Sequence, residues 1–418
     1  MRVVLANTCD SGGAARAVYR LHQGLRNAGV DSQMVVKYNF RKDPLLVGME
    51  GILAKIAWNL DLRLDLDKYP LRAYPHRNTE PWSSQWLPND TAYRLRRLKP
   101  DIMHLHWIGG GFLPIRAFSG LGRPLVWTMH DMWGVTGGCH YDRECGRWQK
   151  GCGLCPQLNS GEENDWSRKT WRAKERAWKD LPMQIVCPSR WLAGVVSSSP
   201  LFLNKPVHVI PYGLDISIFH PSSKAEARLA LGLPDGRSII VLGAESILMD
   251  KRKGFQYLEP ALKRLSEGSW RERIAIAVFG ADAPEKALDL GFPVYFLGQI
   301  RDDHRLALVY SAGDVYLAPS TQDNLPNTVM ESIACGTPCV AFNIGGMPDM
   351  IEHQVNGFLA KPFEIEDLVK GIEWVLSDKV RHNALCIEAR KGAVERFSLE
   401  TPANKYKALY ERILDPEC

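Results

Sequence analysis

The sequence predicts an α/β protein with two domains, each built on a parallel sheet that is covered by helices on both faces. Apolar segments typical of strands alternate with segments of helical periodicity in both halves of the chain. Most of these strands are continuously apolar, as expected when both faces of a sheet are buried. The length of 418 residues is sufficient for two domains of ordinary size, each with its own core.

The N-terminal segment predicts a βαβ unit. Residues 2–6 (R-V-V-L-A) form the first predicted strand, residues 16–29 the amphipathic helix and Q-M-V-V the second strand. Gly12 and Gly13 lie in the turn after the first strand but lack the G-x-G-x-x-G spacing of dinucleotide-binding proteins, which argues against a nicotinamide site. They predict a glycine turn in which the backbone can approach an anion.

The second half of the chain repeats this pattern. It contains the apolar segments S-I-I-V-L-G, I-A-I-A-V-F-G-A, V-Y-F-L-G and V-Y-L-A-P-S, which are separated by helical or loop segments. The pattern is interrupted at residues 211–221, where prolines and a glycine indicate a domain boundary. We therefore predict a first domain over residues 1–212, a second over 213–396 and a C-terminal helix within 397–418.

Residues 319–340 carry the strongest functional signal, because two carboxylates, Asp323 and Glu331, flank the start of a predicted helix. This helix begins near Asn327 and ends before Gly336. Its first N–H groups have no partners within the helix and can bind a phosphate, while Glu331, about one turn further on, can reach a ribose hydroxyl. Asp323 would then face the group that the phosphates carry. The alternative is a capped surface helix with a chance pair of carboxylates.

Composition excludes some functions and leaves others open. The net charge of +5, from 52 basic and 47 acidic residues, does not indicate a nucleic-acid partner. No apolar segment approaches the roughly 20 residues of a membrane span, and Met1 leads directly into a strand, so we expect a cytoplasmic protein. Residues 51–74, with Ile52, Ile56, Leu60 and Leu64 at helical spacing, and residues 166–179, rich in Trp and basic residues, could contact the inner face of the membrane peripherally. Ordinary helix packing is the alternative for both segments.

Four of the ten cysteines lie in one short segment: Cys139, Cys145, Cys152 and Cys155. Their C-x5-C-x6-C-x2-C spacing suits a tetrahedral thiolate site that stabilises a loop too small for its own core. In the cytoplasm zinc is favoured over disulfides, which gives the hypothesis of a structural zinc. His140 could replace one ligand, and reduced thiols or a redox-sensitive pair are the alternative.

Five motifs in order resemble those of the retaining glycosyltransferases of family 4, also called group 1. They are S-G-G-A-A-R, T-M-H-D at 128–131, V-I-P-Y-G-L-D at 209–215, R-K-G-F at 252–255, and D-x7-E followed by A-C-G-T-P. The resemblance implies the GT-B fold, in which two Rossmann-like domains face a cleft and the C-terminal helix returns to the first domain. It also implies a hexosyltransferase-type enzyme (EC 2.4) that needs no catalytic metal.

The resemblance assigns roles to individual residues. Lys253 and Arg252 would neutralise the donor diphosphate, although which arginine completes this contact stays open. Asp323, one methylene shorter than the family glutamate, would lie near the sugar, and His130 would support the transition state. The residues implied in donor binding are Gly12, Gly13, Arg252, Lys253, Asn324, Leu325, Asn327, Thr328, Glu331, Gly345 and Gly346. His104 and His106 lie on another strand, where we expect them not to share a face.

The implied reaction moves a sugar from a UDP- or GDP-sugar to a saccharide or lipid-linked acceptor, in polysaccharide or lipid-linked oligosaccharide synthesis. The configuration at the anomeric carbon would be retained, and the leaving phosphate would act as the base. One alternative is a catalytically weak or inactive GT-B protein that binds nucleotide sugars as a sensor or scaffold. A GT-B phosphorylase or an epimerase is another.

Overall fold

A computed structural model describes residues 1–40, 43–49, 56, 59–60, 63–122, 124–243, 250–283 and 288–415. The chain divides into two compact units, the first formed by Met1–Gly213 with Pro402–Cys418 and the second by Leu214–Thr401. The chain passes from one unit to the other after Gly213 and after Thr401, each within a few residues of a predicted boundary, at 212 and at 396.

The first unit contains a seven-stranded sheet in which all neighbouring strands are parallel. Its strands are β1 (Arg2–Ala6), β2 (Asp31–Tyr38), β3 (Leu46–Met49), β4 (Ile102–Leu105), β5 (Leu125–Thr128), β6 (Gln184–Cys187) and β7 (Val207–Val209). Their spatial order is β3-β2-β1-β4-β5-β6-β7. The order reverses between β1 and β4, and the loops that leave the carboxyl ends of these strands flank the position where ligands bind in open α/β sheets.

The helices of the first unit cover this sheet. They include α1 (Gly13–Asn27), α2 (Thr91–Arg97), α3 (Trp166–Trp178) and α4 (Arg190–Ser197), with 3₁₀ helices at Leu66–Ala73, Ile115–Leu121, Met132–Gly134, Arg147–Lys150 and Pro156–Leu158. In α1, Val18, Leu21 and Leu25 recur at helical spacing and pack on the buried side chains of β1. This confirms the βαβ unit predicted at the N-terminus.

The second unit contains a six-stranded parallel sheet. Its strands are β8 (Ser238–Gly243), β9 (Ile274–Phe279), β10 (Val294–Phe296), β11 (Val315–Ala318), β12 (Cys339–Phe342) and β13 (Gly357–Ala360). The order is β10-β9-β8-β11-β12-β13, so the topological switch lies between β8 and β11. The four strands predicted in this half are confirmed, and their side chains form the centre of the second core.

The second unit is completed by helices α5 (Lys224–Leu231), α6 (Phe255–Ser266), α7 (Asp303–Ala312), α8 (Asn327–Ala334), α9 (Ile365–Leu376) and α10 (Lys379–Phe397), with 3₁₀ helices at Lys251–Lys253 and Met347–Asp349. Helix α8 begins and ends where the sequence predicts. Gly336, just beyond it, has a positive φ of 74°, a conformation that glycine adopts without steric cost.

The last helix, α11 (Glu400–Leu414), packs on the sheet of the first unit. Tyr406, Leu409 and Tyr410 are buried beside the apolar side chains of β1, β4 and β5. The Tyr410 hydroxyl lies 2.6 Å from His104 Nδ1, and the Tyr406 hydroxyl lies 2.8 Å from Thr128 Oγ1. His104 Nε2 lies 2.8 Å from the same Thr128 hydroxyl, so one buried polar network joins this helix to two strands.

The two segments considered for membrane contact differ. In the first, residues 51–55, 57–58 and 61–62 lie outside the described residues, Ile52 among them, whereas the described Ile56, Leu60 and Leu64 are about half exposed. In the second, Trp171 and Trp178 of α3 are buried in the core of the first unit, which confirms the packing alternative for these two side chains. Within the described residues, no helix is both long and apolar enough to span a membrane.

Candidate donor site and histidine cluster

Two chain segments meet at the switch point of the second sheet. The 3₁₀ turn Lys251–Lys253 follows β8 along the chain, and Asp323 lies in the loop between β11 and α8. Thr321 donates its backbone N–H to the Arg252 carbonyl at 2.8 Å, which fixes one segment against the other. Both predicted cations and the predicted carboxylate are therefore brought together where open α/β sheets bind ligands.

The geometry of this cluster is tight. Lys253 Nζ donates to Asp323 Oδ2 at 2.8 Å, and Arg252 NH1 donates to the same oxygen at 3.1 Å. Arg252 also contacts Asp250 Oδ2 at 3.0 Å and the Gln322 carbonyl at 3.0 Å. One carboxylate oxygen thus receives two charge-assisted hydrogen bonds, which orients both cations toward one point.

These cations control the charge of Asp323. Burial alone would raise the pKa of this carboxyl, but Lys253 and Arg252 outweigh burial and lower its pKa to about 2. Asp323 is therefore ionised throughout the physiological range. The ionised Asp323 carboxylate is therefore paired with Lys253 and Arg252, the two cations that the family resemblance assigns to the donor diphosphate.

Two glycines allow the loops to approach this closely. At Gly254, with φ 78°, a Cβ would lie 1.8 Å from the Pro319 carbonyl oxygen. At Gly345, with φ 51°, a Cβ would lie 2.0 Å from the Asp323 carbonyl oxygen, which accepts the Gly346 N–H at 3.1 Å. A side chain at either position would clash with this backbone, so both positions require glycine. For Gly345 this agrees with the alternative of a turn that needs a positive φ.

Helix α8 carries the second predicted carboxylate. Glu331 is 1% exposed, and its Oε2 accepts a hydrogen bond from the Tyr310 hydroxyl at 3.0 Å. The carboxyl end of α8 is held by Arg390, whose NH1 donates to the Ala334 carbonyl at 2.9 Å. The helix is thus fixed at its end, and Tyr310 is a partner of Glu331 that the sequence did not reveal.

The predicted donor-binding residues between Asp323 and α8 differ in accessibility. Asn324 and Leu325 are 1% and 3% exposed, whereas Asn327 and Thr328, at the start of α8, are partly exposed. Pro326 is the N-cap residue of α8, and it makes no side-chain capping hydrogen bond. The N–H groups of the first turn are therefore the part of this segment best suited to an anion.

Gly12, Gly13 and His130 belong to the first unit. Gly12 has φ 87°, and no described heavy atom beyond its chain neighbours lies within 4 Å of where its Cβ would be, so the turn before α1 has open space. His130 follows β5. Its Nδ1 lies 2.8 Å from the Tyr212 hydroxyl, and the two rings stack with centroids 5.3 Å apart. Burial lowers the pKa of His130 to about 4, so the ring is neutral at pH 7.

The prediction that His104 and His106 do not share a face is wrong. Their ring centroids lie 4.0 Å apart, because residues i and i+2 of a strand point to the same side of the sheet. His104 is bound in the network with Tyr410 and Thr128. His106, just beyond β4, has its Nδ1 3.1 Å from His130 Nε2. His106 therefore adjoins the predicted transition-state residue.

A hydrogen-bonded cluster beside His130 was missed by sequence reasoning. Asp131 Oδ2 lies 2.6 Å from His140 Nδ1 and accepts the Trp107 indole N–H at 3.0 Å. His140 Nε2 lies 3.0 Å from the Ser83 hydroxyl. Burial would raise the pKa of Asp131, but His140 outweighs burial and lowers it. Asp131 is the last residue of T-M-H-D, which was the available signal.

The four clustered cysteines line one small cavity of about 10 Å³, and all are free thiols. Burial raises the pKa of Cys152 to about 12 and that of Cys155 to about 11, so both are protonated at pH 7. The Nδ1 of His140 contacts Asp131 and its Nε2 contacts Ser83, which argues against His140 as a substitute for a cysteine ligand of zinc. Among the described residues, no group of three or more His, Cys, Asp or Glu side chains is arranged to hold a metal ion. Zinc stays a prediction, which metal analysis of the purified protein would test.

Two models of known protein families match this chain, one in its first half and one in its second half. The family model described as Glycosyltransferase Family 4 matches residues 11–218, and the model described as Glycosyl transferases group 1 matches residues 237–378. The chain therefore belongs to glycosyltransferase family 4, group 1, a family of sugar-transferring enzymes.

Individual relatives share only about 30% of their residues with this chain over the aligned segments. Sulfoquinovosyl transferase SQD2 of Arabidopsis thaliana is 31% identical over 205 residues, which cover 47% of this chain and 38% of that protein. D-inositol 3-phosphate glycosyltransferase of Thermobispora bispora is 28% identical over 328 residues, 75% of this chain and 71% of the relative. The chain spans about half the length of most of the curated relatives it matches.

Solved structures establish the fold. Sucrose-phosphate synthase from Thermosynechococcus elongatus superimposes with a TM-score of 0.71 at 19% identity over the whole of both chains. Anabaena HepE, solved in complex with UDP-glucose, gives a TM-score of 0.63 at 16% identity over 98% of this chain and 99% of HepE. The two units are thus the two Rossmann-like domains of a GT-B glycosyltransferase, as predicted.

Proposed function

We propose that the protein transfers a sugar from a nucleoside diphosphate sugar to an acceptor hydroxyl with retention of anomeric configuration. The observation that carries this proposal is the convergence of Lys253 and Arg252 on one carboxylate oxygen of Asp323 at the β8/β11 switch point. Two oriented cations suit a diphosphate, whose negative charge increases as the sugar leaves.

A uridine nucleotide is the first donor to test. HepE shares this fold and is described in complex with UDP and with UDP-glucose. A GDP-sugar is the alternative, because the cations and the start of α8 would contact only the phosphates, which all nucleoside diphosphates share. Synthesis of a polysaccharide or a lipid-linked oligosaccharide is the setting that we propose for the reaction.

In the proposed mechanism the diphosphate competes with Asp323 for Lys253 and Arg252. The bond between the anomeric carbon and the phosphate oxygen breaks, and the electron pair stays on the phosphate that the two cations and the N–H groups of α8 stabilise. Asp323, released from part of its pairing, orients the sugar. Glu331, held by Tyr310, binds the ribose.

The acceptor oxygen then attacks the anomeric carbon from the face that the phosphate leaves. Its proton passes to the departing phosphate oxygen, which acts as the base. We propose that His130 supports the transition state as a neutral imidazole, because its pKa of about 4 excludes a cation at pH 7. The reaction so written requires no metal.

Thermal shift against UDP, GDP, ADP and their sugar conjugates tests donor binding, since a ligand specific for the native state raises the melting temperature. We expect one nucleotide to stabilise the wild type, and Lys253→Ala to reduce this shift by at least half. Lys251→Ala is the matched control, because Lys251 is exposed in the same turn and makes no contact with Asp323.

Equal shifts in both variants would contradict the diphosphate role of Lys253. Binding without transfer to any acceptor or water would favour the sensor or scaffold, for which the shorter side chain of Asp323 in place of the family glutamate is the specific observation. Where product forms, the anomeric configuration by NMR decides between retention and inversion, and product composition identifies a phosphorylase or an epimerase.

A further inference from the structure

A second cavity lies entirely within the first unit. Its volume is about 540 Å³, within the range of roughly 300–1,000 Å³ typical of small-molecule sites. Its walls come from residues 84–89, residues 114–117 and one face of α3.

Two indole rings form one side of the cavity. Trp86 is 41% exposed, and its ring packs edge-on against Trp166, with centroids 6.4 Å apart and planes at 88°. Trp86 donates its indole N–H to the Leu66 carbonyl at 3.1 Å, which fixes the ring. An exposed and oriented indole offers a flat apolar surface to the C–H face of a sugar ring.

Three cations surround these rings. Arg116, Lys169 and Arg176 line the cavity, all three are exposed, and no hydrogen bond or ion pair joins their side chains to any described residue. The described lining contains no Asp or Glu. The local charge is therefore unbalanced, and it predicts an anionic ligand rather than a neutral one.

A buried hydroxyl supplies an independent sign of a missing partner. Thr170 is 4% exposed and lines the cavity, and its Oγ1 has no hydrogen-bond partner within the described part of the chain. Unsatisfied buried hydroxyls are uncommon, because a buried polar group without a partner destabilises the folded state. This oxygen is closed to solvent, so an enclosed water molecule behind the cavity wall is the partner that would satisfy it.

The wall of the cavity is rigid and adjoins the histidine cluster. Asp67 accepts the backbone N–H groups of Ser84 and Gln85 at 3.0 and 2.6 Å, and Trp166 donates its indole N–H to Ser84 Oγ at 3.2 Å. Ser83, the next residue toward the N-terminus, contacts His140 at 3.0 Å. The segment that forms the cavity wall thus continues directly into the cluster beside His130.

We propose that this cavity binds an anionic group, phosphate or carboxylate, of the saccharide acceptor, with the sugar ring against Trp86. The proposal rests on the proposed function, since it names the class of acceptor. Arg116, Lys169 and Arg176 would neutralise the anion. The cavity would then select acidic acceptors over neutral ones.

Calorimetric titration with glucose 6-phosphate, glucuronate and methyl glucoside tests this proposal. We expect at least one anionic sugar to bind tenfold or more tightly than methyl glucoside, and its binding to weaken at high salt. Preference between the two anions distinguishes a phosphate source from a carboxylate source. The double variant Arg116→Gln/Arg176→Gln should lose at least tenfold in affinity.

Arg172→Gln is the control, because Arg172 is exposed on α3 but does not line the cavity. Equal binding of neutral and anionic sugars, no binding of any, or unchanged affinity in the double variant would overturn the proposal. Lys169→Gln provides a second variant of an exposed side chain. The nucleotide shift, which depends on Lys253 in the other unit, should persist in all these variants, so loss of donor binding and loss of acceptor binding are distinguished.

Discussion

At the residue scale, Asp323 determines the electrostatics of the candidate donor site. Its carboxylate gains two cationic partners on folding, and the lowered pKa measures how strongly they favour the ionised form. Any ligand that takes over these cations has to compensate for the pairing that Asp323 loses. The free protein therefore has Lys253 and Arg252 oriented before any ligand binds.

The pH dependence of stability follows from this pairing. Since the folded pKa of Asp323, about 2, is below the ordinary value of 3.8, its contribution of about 2 kcal/mol is complete above pH 4 and is lost as the pH falls toward 2. We expect Asp323→Asn to lose less stability than the wild type between pH 4 and pH 2, as measured by urea unfolding.

The exposed Glu267→Gln variant serves as the control for this measurement, because its side chain is 71% exposed. Its pH profile should match that of the wild type. If Asp323→Asn also retained the wild-type profile, the carboxylate would not be paired as described.

Sequence reasoning at this scale depended on motifs. Lys253, Arg252 and Asp323 were assigned to one site because their motifs resemble those of family 4, and the structure brings the three side chains together. The link from Asp131 through His140 to Ser83 was missed, since Ser83 and His140 are 57 residues apart and meet only through loop packing. The error at His104 and His106 came from misapplying the two-residue period of a strand.

At the element scale, α8 and α11 show two degrees of predictability. The start and end of α8 follow from local signals, Pro326 before it and Gly336 after it. The buried face of α11 follows from periodicity, but its partners do not. Contacts between Tyr410 and His104 join residues 306 positions apart, which no local pattern specifies.

This contact has a measurable energetic value. Tyr410→Phe removes the hydroxyl and leaves the buried Nδ1 of His104 without that partner, which should lower the free energy of unfolding by about 1–3 kcal/mol. Urea unfolding of the variant measures this change. Tyr93→Phe, altered at a side chain that is 56% exposed, should have no effect, and equal values for both variants would contradict a role for the network.

At the scale of the whole molecule, the first unit depends on two distant segments of the chain. Removal of residues 402–418 would expose apolar surface around Val3, Leu5 and Ile102 that α11 covers. We expect the shortened chain to lose the thermal transition of the first unit, since each large buried side chain removed costs about 3–5 kcal/mol. The second unit should retain its stabilisation by nucleotide.

A chain that ends at Asp415 is the control for this truncation and should unfold like the full chain. Calorimetry with and without nucleotide separates the two transitions. An unchanged first transition after removal of α11 would show that the helix contributes little to the unit on which it packs.

Because α11 covers part of the sheet in the first unit, that unit can finish folding only after its C-terminal segment has been made, although most of the unit is synthesised first. The ribosome makes residues 1–213 first, yet His104 and Thr128 acquire their tyrosine partners only when residues 402–414 have emerged. The second unit is one continuous segment and can fold before then. In a nascent chain, the part of the first sheet that α11 covers therefore stays exposed until residues 402–414 have emerged.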